Sequence, residues 1–127
     1  MLNVLYVDED ASPLEPIKLL LEMTAEMKVE VAQNIPDGFA RAMFGGMDVI
    51  VFGCRKGDTR CVDFIRSLRR NGSSVPLVMF ADAFSEKLKN EVLKWTGSAF
   101  LYRENNPTRE LLLLTDEINR LTGNKTI

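Results

Sequence analysis

Five short strand-like runs recur along this chain at intervals of roughly twenty-five residues, each separated from the next by a segment with helical spacing. Leu2 to Val7, Asp48 to Phe52, Val75 to Phe80 and Ser98 to Tyr102 are apolar or nearly so, as strands buried on both faces must be. Lys28 to Gln33 alternates instead, with Val29 and Val31 on one side. That suits an outer strand with one better-buried face. Strands alternating with helices predict an α/β fold: a doubly wound, five-stranded parallel sheet with five flanking helices. Right-handed crossovers then leave few topologies.

The helices carry their own start and stop signals. Ser12-Pro13-Leu14-Glu15 has the form of a capping box, and Leu14, Ile17 and Leu21 repeat at helical spacing to about Met27. Pro36 and Asp37 open a second helix, which Gly45-Gly46 stops. A loop is expected over Gly53 to Asp58. A third helix with Val62, Ile65 and Leu68 inward follows and closes at Asn71-Gly72. Pro76 sits near the start of the fourth strand, where a missing ladder donor is tolerated. Ser85 caps a fourth helix running through Trp95 with Leu88 and Val92 inward. Asn106-Pro107 opens the last helix, striped by Leu111, Leu114, Ile118 and Leu121 and ended by Gly123. With 127 residues and no internal repeat, linker or low-complexity tract, residues 1–127 read as one domain.

Charge and cysteine content exclude several classes of function. The net charge is -2, and no basic stripe covers an element, so nucleic-acid binding is not expected. Arg66, Arg69 and Arg70 read as the solvated end of the third helix, complementing its dipole. There is no histidine, and Cys54 and Cys61 lack a zinc spacing. Two thiols in a domain with an adequate core suggest a reducing compartment, although a disulfide between them stays open. No apolar run approaches a membrane span, and the N-terminus lacks the basic region of a signal peptide. The cytoplasm is the expected location.

In a parallel sheet of this kind the functional crevice lies at the carboxyl ends of the strands. The residues expected there are Asp8 and Glu9, Gly53 and Cys54, Ala81 and Asp82, and Arg103 and Glu104. Taken alone, Asp8, Glu9 and Asp10 also read as a strand-end turn and helix entry. Cys54, beside Arg55 and Lys56, invites a reactive-thiol reading, but a buried structural cysteine is the commoner case.

With these strand ends in place, the whole chain resembles the receiver domain of two-component response regulators. The resemblance implies a CheY-like, flavodoxin-like fold with strand order 2-1-3-4-5. It also implies an acidic pair after the first strand that helps hold magnesium and an acceptor aspartate at the end of the third. A Ser or Thr after the fourth strand and a Lys after the fifth would contact the phosphoryl group. Val7-Asp8-Glu9-Asp10 matches the acidic pair. The residue after Asp48-Val49-Ile50-Val51-Phe52, where the acceptor belongs, is Gly53. The residue after Val75-Pro76-Leu77-Val78-Met79-Phe80 is Ala81, and Arg103 follows Phe100-Leu101-Tyr102 where the family has Lys. Phe100 matches the family's aromatic switch position.

Glycine offers no carboxylate to phosphorylate, and magnesium needs several oxygen ligands. Asp8 and Glu9 are therefore expected to be a weak or vestigial magnesium site, with no other cofactor implied. Arg103 is read either as a partner of Asp8 or Glu9 or as a solvated cation. The resemblance implies a degenerate, non-enzymatic pseudo-receiver in a phosphorelay. Its partner would be a histidine kinase or downstream signalling protein, and a homodimer through the last helix is a further expectation. Trp95, Tyr102, Leu112 and Leu113 are the candidate partner surface, with Phe84 beside them. Two alternatives stand against this reading. One is an active receiver using Asp8, Asp58 or Asp82 as acceptor. The other is a small-molecule-binding flavodoxin-like domain, although the first strand is followed by no Gly-rich phosphate loop.

Overall fold

The structure, a computed structural model, describes residues 1–10, 14–24, 26–103 and 106–123. Its elements run β1 (Asn3–Val7), α1 (Leu14–Thr24), β2 (Lys28–Ala32), α2 (Ile35–Phe44), β3 (Val49–Cys54), α3 (Arg60–Arg70), β4 (Leu77–Ala81), α4 (Glu86–Leu93), β5 (Ser98–Tyr102) and α5 (Pro107–Thr122). All strand pairs are parallel, in the order β2-β1-β3-β4-β5. This is the doubly wound sheet that the alternating pattern predicts.

Strand periodicity sorts the core into two layers. Leu5, Val7, Ile50, Phe52, Leu77 and Met79 point to one face and pack under Ala42 of α2, Phe64, Ile65 and Leu68 of α3, and Val92 of α4. Val4, Tyr6, Val49, Val51, Val78 and Phe80 point to the other, under Leu21 of α1 and Leu114 and Ile118 of α5. Gly38 lets α2 sit close on β1: a Cβ there would lie 2.7 Å from a Val7 methyl. Val29 is buried and Val31 partly so on one face of the outer strand, as its alternation requires.

Side-chain caps fix three of the helices. Asn34, Ser85 and Asn106 accept the backbone N–H groups of Asp37, Leu88 and Arg109 at 2.7, 3.2 and 3.1 Å. For α2 the cap is thus Asn34 and the helix starts at Ile35, one residue before the expected Pro36-Asp37 opening. The capping box at Ser12 lies outside the described residues.

Helix α1 ends at Thr24 rather than about Met27, and β4 starts at Leu77 rather than Val75. Two further boundaries differ from the sequence pattern near the crevice and α4. Helix α4 ends at Leu93 rather than Trp95, because the Ser98 hydroxyl donates to the carbonyls of Val92 and Trp95 and closes the turn. Strand β3 continues through Gly53 and Cys54, which were expected to open a loop. These two residues face Phe80 and Ala81 in register across the β3–β4 ladder. That extension carries the backbone to the edge of the crevice before it turns.

Arg69 is not a freely solvated helix-end cation. Its guanidinium donates to the carbonyls of Thr96 and Ser73, each at 3.2 Å, and ties the end of α3 to the turn before β5. Burial holds its pKa below the usual arginine value.

Candidate functional site

The carboxyl ends of β1, β3 and β4 converge on a charge cluster organised by two arginines. Asp8, the first residue beyond β1, is 2 % exposed. An ionised carboxylate this deep needs hydrogen bonds and a cation. It accepts the Asp10 backbone N–H at 3.0 Å and the Arg55 guanidinium at 2.8 Å. The same Arg55 nitrogen lies 2.9 Å from the Asp10 carboxylate, and its neighbour lies 3.8 Å from Asp82. Burial works against the Arg55 charge. The bond to Asp8 and the charges of Asp8, Asp10 and Asp82 more than offset it, so its pKa is raised.

Glu9 turns away from Asp8 and takes a different cation. Arg60, the first residue of α3, reaches Glu9 with both terminal nitrogens and holds Asp58 through Nε and Nη2, each at 3.0 Å. The Arg60 hydrogen bonds hold the Asp58 carboxyl below its ordinary pKa. The two acids expected to share one metal ion are therefore separated, each on its own arginine.

Gly53 explains how Asp8 fits. A Cβ at position 53 would sit 2.6 Å from Asp8 Cγ and 3.1 Å from Asp8 Cβ. The Asp8 carboxylate fills the space into which a side chain at the end of β3 would project. Glycine inside a strand commonly marks such a close approach. Ala81, in register with Cys54, adds no hydroxyl to the rim.

These residues do not fit a magnesium ion. Asp8 is occupied by Arg55, Glu9 by Arg60, and Gly53 supplies no third carboxylate. Among the described residues no group of three or more His, Cys, Asp or Glu is arranged to hold a metal ion. Asp8 and Glu9, expected from sequence to be a weak or vestigial magnesium site, each pair with a guanidinium.

Arg103 also differs from expectation. It pairs with neither Asp8 nor Glu9. Its guanidinium lies 5.0 Å from the Phe80 ring centroid, and Nε donates to buried Glu110 on the first turn of α5 at 3.1 Å. The physical reason is competition: Arg55 already neutralises Asp8, whereas Glu110 is buried and needs a cation. Tyr6 lies beneath this pair. Burial first, and then the Asp8 charge, push its hydroxyl above the usual tyrosine range. Its hydroxyl oxygen finds no hydrogen-bond partner among the described residues.

The expected partner surface is brought together in part. Phe84 and Tyr102 meet edge to face with ring centroids 6.1 Å apart, and are 57 % and 40 % exposed. On α5, Leu112 is 60 % exposed and Leu113 is half-buried. Trp95 packs against the core instead, and so does Phe100. Arg55 and Arg60 are the residues that sequence reasoning missed. The available signal was their place in the segment joining the third strand to the third helix, which must pass over the acids.

Cys54 and Cys61, read from sequence as two thiols, are joined as a disulfide with Cα atoms 6.0 Å apart. Beside Cys54, a cleft of about 330 Å³ opens between the β3–α3 segment and α4.

Comparison with known proteins places this geometry in a class. No family model matches the chain, and no curated protein matches it in sequence. Solved structures do match. A CheY-like receiver domain protein from Methanospirillum hungatei superposes with a TM-score of 0.79 at 18% identity, covering 98% of this chain and 99% of that one. The chemotaxis response regulator CheY4 of Vibrio cholerae gives 0.77 at 23% identity, covering 93% and 98%. An orphan response regulator of H. pylori gives 0.76 at 11% identity, covering 92% and 96%. The chain has the CheY-like, flavodoxin-like receiver fold of response regulators. No helix among the described residues is long and apolar enough to cross a membrane.

Proposed function

We propose that this chain is a pseudo-receiver: a non-enzymatic signalling domain that acts by binding a partner protein and is not phosphorylated at the end of β3. The observation that carries this reading is the Asp8 carboxylate lying over Gly53 and held by Arg55. Phosphoryl transfer to a carboxylate needs both the nucleophile and a neutralising cation beside it. Here the nucleophile is absent, and the cation is a side chain already bound to the acids.

The alternative acceptors gain no support from the geometry. Asp8 and Asp82 face Arg55, and Asp58 is held by Arg60. The partner surface in this reading is Phe84, Tyr102 and Leu112, with Leu113 at its flank. The partner is a histidine kinase or downstream signalling protein in the cytoplasm, and a second copy docking through α5 is the homodimer version. The bare apolar side chains of these residues support it, since exposed aromatics beside leucine suit a protein contact.

Acetyl phosphate with magnesium, read by intact mass, tests the proposal. The expected result is an unchanged mass. A phosphoryl adduct on any aspartate would overturn it, and peptide mapping would identify the acid.

A further inference from the structure

We propose that Cys54 and Cys61 form a reversible dithiol–disulfide site, oxidised by small anionic disulfides, whose closure clamps the β3–α3 segment and keeps Arg55 on its acids. The proposal rests on the reading above, in which Arg55 closes the crevice. Three observations carry it.

The first is placement. Cys54 ends β3, and Cys61 is the second residue of α3. Their Cα separation of 6.0 Å lies within the range that a disulfide spans without backbone movement. The segment they enclose carries both arginines of the charge cluster, Arg55 on Asp8 and Asp10, and Arg60 on Glu9 and Asp58. Fixing its two ends fixes where those guanidinium groups reach.

The second is that the dithiol form also has a place. The Asp58 carbonyl lies 3.2 Å from Cys61 Sγ and 3.7 Å from Cys54 Sγ, so each thiol has an acceptor waiting. A carbonyl within reach of both sulfurs leaves the reduced pair a hydrogen-bond acceptor, which suits reversible chemistry.

The third is a cleft on one side only. Cys54, itself 2 % exposed, lines the 330 Å³ cleft together with Arg55, Lys56 and Lys87, opposite Asp58 and Glu91. Cys61 is fully buried. Three cations against two acids in this lining, Lys56 and Lys87 above all, favour an anionic disulfide such as glutathione disulfide. Cys54 is then the sulfur that meets the reagent, and Cys61 the one that resolves.

The exchange balances as two displacements. The Cys54 thiolate attacks one sulfur of the external disulfide, forming a mixed disulfide and releasing one thiolate. The Cys61 thiolate attacks Cys54 Sγ, forming the internal bond and releasing the second thiolate. Two electrons pass from the cysteines to the external disulfide, and the two thiol protons leave on the released thiols.

The test equilibrates the whole chain with glutathione and glutathione disulfide at varied ratios, traps thiols with N-ethylmaleimide and reads intact mass. Both labels should disappear together in one two-electron transition. Cys61→Ser should stop at a single glutathione adduct on Cys54. Amides of residues 55–60 should exchange with solvent about tenfold faster in the reduced chain than in the oxidised one. Two labels retained at every ratio, or equal exchange in both forms, would overturn the proposal. Arg55→Ala separates the two readings. It should keep the thiol transition while losing the loop protection, so a failed thiol transition beside a destabilised Arg55→Ala sinks the redox site alone.

Discussion

The crevice above β1 and β3 and the exposed apolar residues Phe84, Tyr102 and Leu112 contrast in how their side chains are held. In the crevice Asp8, Glu9, Asp10, Asp58 and Asp82 all lie against an arginine. Phe84, Tyr102 and Leu112 instead leave 57 %, 40 % and 60 % of their surface in water. Buried charge must be neutralised for the fold to persist. A small apolar patch costs the free chain little and adds binding energy once a partner covers it. The crevice acids are held by arginines, and the exposed apolar side chains are not covered by the rest of the described chain.

The sharpest way to break this contrast is to remove the cation. Arg55→Ala leaves Asp8 buried with, among the described residues, only a backbone donor, and should cost about 3 kcal/mol in urea unfolding. If the loss is negligible, Asp8 is not held as described. Gly53→Ala puts a Cβ against the Asp8 carboxylate and should cost about 2 kcal/mol by the same measurement. Gly53→Asp adds a second negative charge there. It should be at least as destabilised and should still take no phosphoryl group from acetyl phosphate, unless Asp8 moves out of the way.

Tyr6→Phe probes the layer beneath. Removing an unpartnered buried hydroxyl should be neutral or stabilising by up to about 1 kcal/mol at neutral pH. The folded tyrosine titrates above its unfolded value, so stability is intact below the usual tyrosine range and falls as pH rises through it. The phenylalanine variant should lose that alkaline dependence in pH-resolved thermal melts. Among the exposed apolar residues, Tyr102→Ser and Leu112→Ser should each change stability by less than about 0.5 kcal/mol. A kinase or effector that binds the parent chain should nevertheless bind these variants more weakly. Unchanged binding would move the contact elsewhere.

The sheet was legible because period-two strands and helical stripes report burial directly. Leu5 and Val4 fall on opposite layers because neighbouring strand residues must. The absence of a side chain at Gly53 was equally plain. The occupant of the crevice was not. Arg103 was open as a partner of Asp8 or Glu9 or as a solvated cation, yet its direction depends on Phe80 and on Glu110, which lies seven residues further along. Arg55 reaches Asp8 across 47 positions of sequence, only because β3 runs on through Cys54 before turning. Long-range pairs between flexible side chains leave no local periodicity to read. Trp95 illustrates the same limit, since shortening α4 by two residues folds its ring onto the core.

Titration of the isotopically labelled chain with Mn²⁺, followed by amide resonance broadening, tests the central claim most directly. No selective broadening near Asp8, Glu9 and Gly53 is expected in the parent chain, because Arg55 and Arg60 already occupy the acids. Selective broadening of those amides in the parent would contradict it, showing that the acids still form a working divalent-cation site.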